Sequence, residues 1–158
     1  MAHTNQEGSL LLNTSNKSES ALGYMTIYGD LCGAIGVLLD VVKTKVYALA
    51  RYINRDVEVI PKAILERTPT AELKLNQTDF ETLPPFEILD PIIELYLEKR
   101  LTIDAIALEL GQAPQFVQAI VHQIHLAEYK RRQAPIAIRV SVKSFSKGRN
   151  VPIVQLWK

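Results

Sequence analysis

Three observations predict an α/β fold that is mostly helical and whose sheet is incomplete. A short apolar run, Ser9 to Leu12, feeds through Thr14, Ser15 and Asn16 into a helix over Ser18 to Tyr28, with Glu19 at its start. One further stretch, Ala34 to Leu39, reads as a strand. From Lys43 onward apolar residues recur at helical spacing, in segments that need a sheet to pack on.

The first turn is where the chemistry would lie, because free N–H groups at a helix start attract anions. The same hydroxyl and amide cluster also suits a plain N-cap. Lys43 to Ile53 places Val46, Leu49, Ala50 and Ile53 on one face and reads as an amphipathic helix that Asn54 ends. Pro61 opens a short helix through Leu65. The following ERTPTAELKLNQTDFETLPP is polar, punctuated by proline and long for a loop without structure of its own, which marks it as a functional segment. Pro85 to Lys99 resumes helical spacing with Ile88, Leu89, Ile92, Leu95 and Tyr96. Thr102 caps Ile103 to Leu110, Gly111 closes that helix, and Pro114 opens Gln115 to His125. A basic cluster, Tyr129 to Arg132, and a tail that alternates and then turns irregular complete the chain.

Composition sets the bounds. At 158 residues and 47% apolar content one domain with a real core is expected. The net charge of +1 leaves no global field for nucleic acid or an anionic membrane. The apolar run from Leu31 to Val42 is broken by Gly33, Gly36 and Asp40 and falls short of the roughly 20 residues that span a bilayer. The single cysteine, Cys32, sits in LCGAIGVLL as a small buried thiol and fits a reducing cytoplasm. His122 and His125 are three apart on one helix, and the other ligands of a zinc site are missing.

Five blocks in order, NTSNKSE, GYMTIYGD, DVVKTKVYALARY, ERTPTAELKLNQTDFETLPPFEILD and EYKRRQAP, carry a resemblance that covers about residues 8 to 135. Together they resemble the synthetase domain of NAD synthetases, particularly the glutamine-dependent form. The resemblance implies a Rossmann-like, adenine-nucleotide-binding fold of the ATP pyrophosphatase type, incomplete here. It implies that ATP adenylates the nicotinate carboxylate of deamido-NAD and that ammonia, derived from glutamine, then displaces AMP to give NAD. Mg²⁺ serves to neutralise phosphate charge.

Carried over residue by residue, the resemblance assigns Thr14, Lys43 and Thr70 to ATP, and Glu19 and Lys130 to deamido-NAD, with Glu19 also near Mg²⁺. Each has a plainer alternative. Glu19 suits a helix start electrostatically, Lys43 is an ordinary helix-start lysine with Lys45 competing for its role, Thr70 is a turn former, and Lys130 belongs to a solvated helix end. No residue is assigned as catalytic. The family also implies a homo-oligomer with deamido-NAD near the subunit interface, and a cytoplasmic enzyme with neither nucleic acid nor membrane as partner.

Departures narrow the assignment. The ammonia-only enzymes carry a lysine and an aspartate around FTKFGDGGAD where this chain has Ile27 and Ala34, so those contacts do not transfer and the glutamine-dependent branch is favoured. The family's SGGxDS pyrophosphate loop occurs nowhere in the sequence, nor does a glutamine amidase domain with its catalytic cysteine. The chain therefore reads as the C-terminal portion of a synthetase domain, inactive by itself. Two rivals remain: ALELGQAPQFVQAI fits a helix-turn-helix DNA-binding module, although PQFVQAIVHQIH has no Arg or Lys to meet DNA, and the chain could be a non-catalytic association domain.

Overall fold

Three strands of two residues each form one parallel sheet in the order β1 (Leu12–Asn13), β2 (Ile35–Gly36), β3 (Ile136–Ala137), seen in a computed structural model that describes residues 1–67, 83–146 and 149–154. Leu12 pairs with Ile35 and Asn13 with Gly36, while Ile35 also pairs with Ile136 and Gly36 with Ala137. Parallel neighbours need crossovers rather than tight turns, and here helices supply them. The helices are α1 (Ala2–Glu7), α2 (Lys17–Leu22), α3 (Lys43–Ile53), α4 (Lys62–Glu66), α5 (Phe86–Glu94), α6 (Ile103–Leu110), α7 (Pro114–Leu126) and α8 (Glu128–Arg131).

The mostly helical α/β expectation holds, with shifted boundaries. The first strand lies at Leu12–Asn13 rather than Ser9 to Leu12, because ladder pairing begins only where Ile35 comes alongside; Leu10 stays 69% exposed. The helix read through to Tyr28 stops at Leu22. Gly23 takes a left-handed conformation (φ 67) and returns its N–H to Glu19 O, as does Tyr24 at 2.9 Å, so the last turn closes there. Ahead of the first strand, α1 forms, buries none of its residues, and ends at left-handed Gly8.

The α3 bounds match the expected Lys43 to Ile53. Thr102 caps α6 by accepting from Ala105 N, and Gly111 ends it at φ 62, as the sequence indicated. The helix expected over Pro85 to Lys99 divides instead: α5 passes at Leu95 into a π-helical turn through Lys99, which Arg100 closes at φ 57.

Most of the core is helix on helix. Ala21 and Leu22 of α2, Leu89, Ile92 and Ile93 of α5, Ile106 of α6 and Val117 and Ile124 of α7 are all buried, with Phe145 of the tail against them. The α6–α7 pair thus spends its apolar faces on this core. A smaller cluster of Met25, Leu31 and Leu39 lies beneath the sheet, with Ala137 packed on it. Among the described residues no helix is long and apolar enough to cross a membrane.

Candidate functional site

The turn after β1 is organised by Asn13. Its buried side chain accepts from Ser15 N at 3.0 Å and donates to Asp30 O at 2.6 Å and Cys32 O at 3.1 Å. This is an Asx turn fastened to the neighbouring loop, and it leaves Thr14 exposed at the carboxyl end of the strand. Cys32 is half-buried and free; its carbonyl rather than its thiol serves here.

Asn16 then caps α2. Its side chain accepts from Glu19 N at 3.0 Å, and Glu19 Oε2 accepts from Asn16 N at 3.0 Å, a reciprocal capping box. Glu19 is therefore the third residue of the helix, which starts at Lys17 rather than Ser18. Two of the N–H groups expected to attract an anion are used inside the box. Its other oxygen, Oε1, lies 3.3 Å from Lys43 Nζ, with both side chains about four-fifths buried. Lys43 Nζ also sits 5.7 Å from the Phe86 ring centroid, so the ammonium is partly desolvated.

Of the two competing lysines, Lys43 meets Glu19, whereas Lys45 is 64% exposed and bonded to Glu94. Lys130 lies at the other end of α2. Its Nζ donates to Gly23 O and Met25 O, each at 2.7 Å, and so holds the turn that follows the helix. Glu19 and Gly23 are about one turn apart on α2, a rise of about 6 Å, so Lys130 is anchored one turn along the helix from Glu19. Thr70 lies outside the described residues, as does most of its loop.

Around this pair stand charged residues that periodicity did not single out. Asp90 of α5 accepts from Ser18 Oγ at 2.5 Å, Thr44 N at 2.8 Å and Thr44 Oγ1 at 2.7 Å. Burial pushes its carboxyl above the ordinary value, more than those hydrogen bonds lower it. Lys17, inside the NTSNKSE turn, is buried against Asp40 at 3.2 Å and Glu98 at 3.1 Å, and donates to Ser141 Oγ and Lys143 O. The π-helical turn carries Glu98. One signal for these residues did exist: Asp40 and Asp90 each interrupt an apolar run, in LLDVV and EILDPII.

Two cavities, of about 260 Å³ beside Arg131 and Phe145 and about 610 Å³ between Tyr96 and α7, are lined by none of Thr14, Glu19, Lys43 or Lys130. His125 faces the larger one and bonds Tyr96 Oη at 2.6 Å; burial, then Arg149 and Arg131, hold its imidazole below the ordinary value. Among the described residues no group of three or more His, Cys, Asp or Glu side chains could hold a metal ion. A Mg²⁺ ion that arrives on substrate phosphates keeps several waters and needs only one or two carboxylates; of the Glu19 oxygens, Oε2 accepts from Asn16 N and Oε1 faces Lys43 Nζ.

Parallel strands whose carboxyl ends lead into the helices bearing the charged pair belong to the Rossmann-like α/β class. The solved glutamine-dependent NAD(+) synthetase from Cytophaga hutchinsonii has the same fold over 98% of this chain and 26% of its own, with TM-score 0.73 at 20% identity. The ammonia-dependent NAD synthetase from Campylobacter jejuni matches 82% of this chain and 45% of its own, with TM-score 0.57 at 26% identity. The fold is thus the ATP pyrophosphatase type, represented in part. A family profile for NAD synthase matches residues 1–134, and the chain belongs to that family.

Sequence relatives agree. The glutamine-dependent NAD(+) synthetase of Thermotoga maritima is 44% identical over 160 residues, covering 100% of this chain and 28% of that protein. That of Aquifex aeolicus is 45% identical over 144 residues, covering 91% and 25%. The chain spans little more than a quarter of the length of these relatives.

Proposed function

We propose that this chain supplies ATP and deamido-NAD contacts to a glutamine-dependent NAD synthetase, as the C-terminal portion of its synthetase domain. The observation that carries this is the Glu19–Lys43 pair, set 3.3 Å apart by helices that follow the carboxyl ends of two adjacent parallel strands. Ligands of open α/β sheets bind at that edge.

In the reaction the nicotinate carboxylate of deamido-NAD attacks the α-phosphorus of ATP and pyrophosphate leaves. Ammonia released from glutamine then attacks the acyl carbon, AMP departs, and NAD is formed. Thr14 offers a hydroxyl to the nucleotide from an exposed turn, and Lys43 opposes phosphate charge from a partly desolvated position. Thr70 is the third ATP contact. Glu19 and Lys130 approach deamido-NAD from the two ends of α2. Mg²⁺, held in part by Glu19, neutralises phosphate charge when bound. The enzyme works in the cytoplasm as a homo-oligomer, without nucleic acid or membrane.

The test is to exchange the matching segment of the Thermotoga maritima protein for this chain and assay NAD formation from deamido-NAD, MgATP and glutamine. The chimera forms NAD and loses that activity with Lys43→Ala. The 158-residue chain alone, given ammonia, forms none, because its sequence has no SGGxDS loop. A folded chimera without activity, or robust synthesis by the chain alone, overturns the proposal.

A further inference from the structure

Lys43 is the first residue of α3, and the residue before it, Val42, has no side chain able to cap a helix. The first N–H groups of that helix are satisfied from elsewhere in the fold. Lys43 N donates to Ser18 Oγ at 2.9 Å, and Ser18 Oγ in turn donates to Asp90 Oδ1 at 2.5 Å. Thr44 N and Thr44 Oγ1 both donate to Asp90 Oδ2. One buried carboxylate, from a third helix, thus ties the start of α3 to the first turn of α2. Ser18 and Glu19 are neighbours in sequence, as are Lys43 and Thr44, so the same tie fixes where the Lys43 and Glu19 side chains meet.

We infer that Asp90 is a positioning residue that holds Lys43 against Glu19 through Ser18 and Thr44. Its role in nucleotide binding rests on the proposed assignment of Lys43 to ATP phosphates. Asp90 touches no ligand in this scheme. A helix start whose donors are met by its own capping residue would keep its place after loss of a distant carboxylate. Here Asp90→Asn keeps one accepting oxygen but turns an NH2 group toward a donor that needs an acceptor, so part of the tie is lost with the charge and the first turn of α3 loosens from α2.

Asp90→Asn keeps the shape of the side chain, and NMR of chain labelled at the lysine Cε and Nζ positions reads the result without ligand. In the wild type the two Hε protons of Lys43 are inequivalent, as a fixed ion pair requires. In Asp90→Asn that inequivalence collapses, while the signals of Lys17 and Lys130, bound elsewhere, persist. Thr44→Val, which removes one donor to Asp90, gives a smaller collapse and serves if Asp90→Asn does not fold. A wild type without the Lys43 signature, an unchanged Lys43 signal in the variants, or an equal loss at Lys17 and Lys130 overturns the inference.

The chimera adds a cycle. Asp90→Asn weakens MgATP binding about tenfold, the scale of one charge-assisted hydrogen bond, and has no further effect in a Lys43→Ala background. A full further loss in that background overturns positioning through Lys43. If Lys43→Ala leaves MgATP binding unchanged while the ligand-free signals respond to Asp90→Asn, the phosphate role of Lys43 falls and the positioning stands.

Discussion

Lys17 Nζ lies 3.2 Å from Asp40 Oδ1, with the two side chains 1% and 0% exposed. A lysine inside a sequence that resembles a phosphate-handling turn thus faces inward. It joins α2 to the end of the loop after β2, to Glu98 of the π-helical turn and to the tail at Ser141 and Lys143. Both charges have lost their water, and partners of opposite sign together with hydrogen bonds compensate them.

Lys17→Ala leaves Asp40 buried without its cation. The expected loss is about 3–5 kcal/mol, read as a shift of the urea midpoint at constant slope. A loss within the range of a surface substitution would mean that water reaches Asp40 and the pair contributes little.

The two buried aspartates give opposite pH dependences. Burial alone would raise the Asp40 carboxyl, but the N–H groups of Ser141 and Val140, the Ser141 hydroxyl and Lys17 together hold it below the ordinary value of 3.8. Its folded form takes up a proton later than the unfolded chain does, so its stabilisation is complete above pH 3.8 and is lost as pH falls through the lowered value. Asp90 is raised, by burial first and further by Glu94, despite its bonds to Ser18 and Thr44. Its folded form takes up a proton earlier, so protonation favours the fold as pH falls from the raised value to 3.8. The Tm gap between wild type and Asp40→Asn therefore narrows below pH 3.8. Above it, as pH falls from the raised Asp90 value to 3.8, the wild type gains on Asp90→Asn. Parallel curves for the two variants would refute both assignments.

Lys130→Ala removes two charge-assisted hydrogen bonds from the turn at Gly23 and Met25. For a half-buried lysine the expected cost is about 1.5–3 kcal/mol in all. Thermal unfolding and deamido-NAD titration of the chimera are run side by side, and both decline. Lost affinity at unchanged Tm would mean that Lys130 serves the ligand alone.

Gly23→Ala destabilises more than Gly111→Ala. Both glycines are left-handed, at φ 67 and 62, where a side chain costs about 1–2 kcal/mol. A Cβ at Gly23 would also stand 2.8 Å from Ala127 Cβ, whereas Gly111 has open space around it. Equal denaturant midpoints for the two variants would show that α2 and Ala127 separate without cost.

What was legible in the sequence was local. Thr102 and Gly111 bracket α6 because a cap and a left-handed closure act within a few residues of the helix they end, and the apolar spacing of Lys43 to Ile53 gives α3 its bounds. The turn chemistry from Asn13 to Glu19 was likewise written in adjacent residues, although the helix starts at Lys17, one residue before the expected Ser18. Strand ends were less legible, since two-residue strands exist only by pairing across the chain.

By itself, then, the sequence determined α3, α6 and α7, the turn after the first strand and, through five ordered blocks, the family. Only the tertiary structure decided that Lys43 rather than Lys45 meets Glu19, that Lys17 is a buried cation, and that Asp90 anchors α3. Capping and amphipathic periodicity act between residues three or four apart, and a reader of the chain can see them. Glu98 and Asp90, partners of Lys17 and Ser18, lie 81 and 72 residues away, and such pairings arise only when the packed helices close the intervening chain and exclude the water that would otherwise solvate each charge.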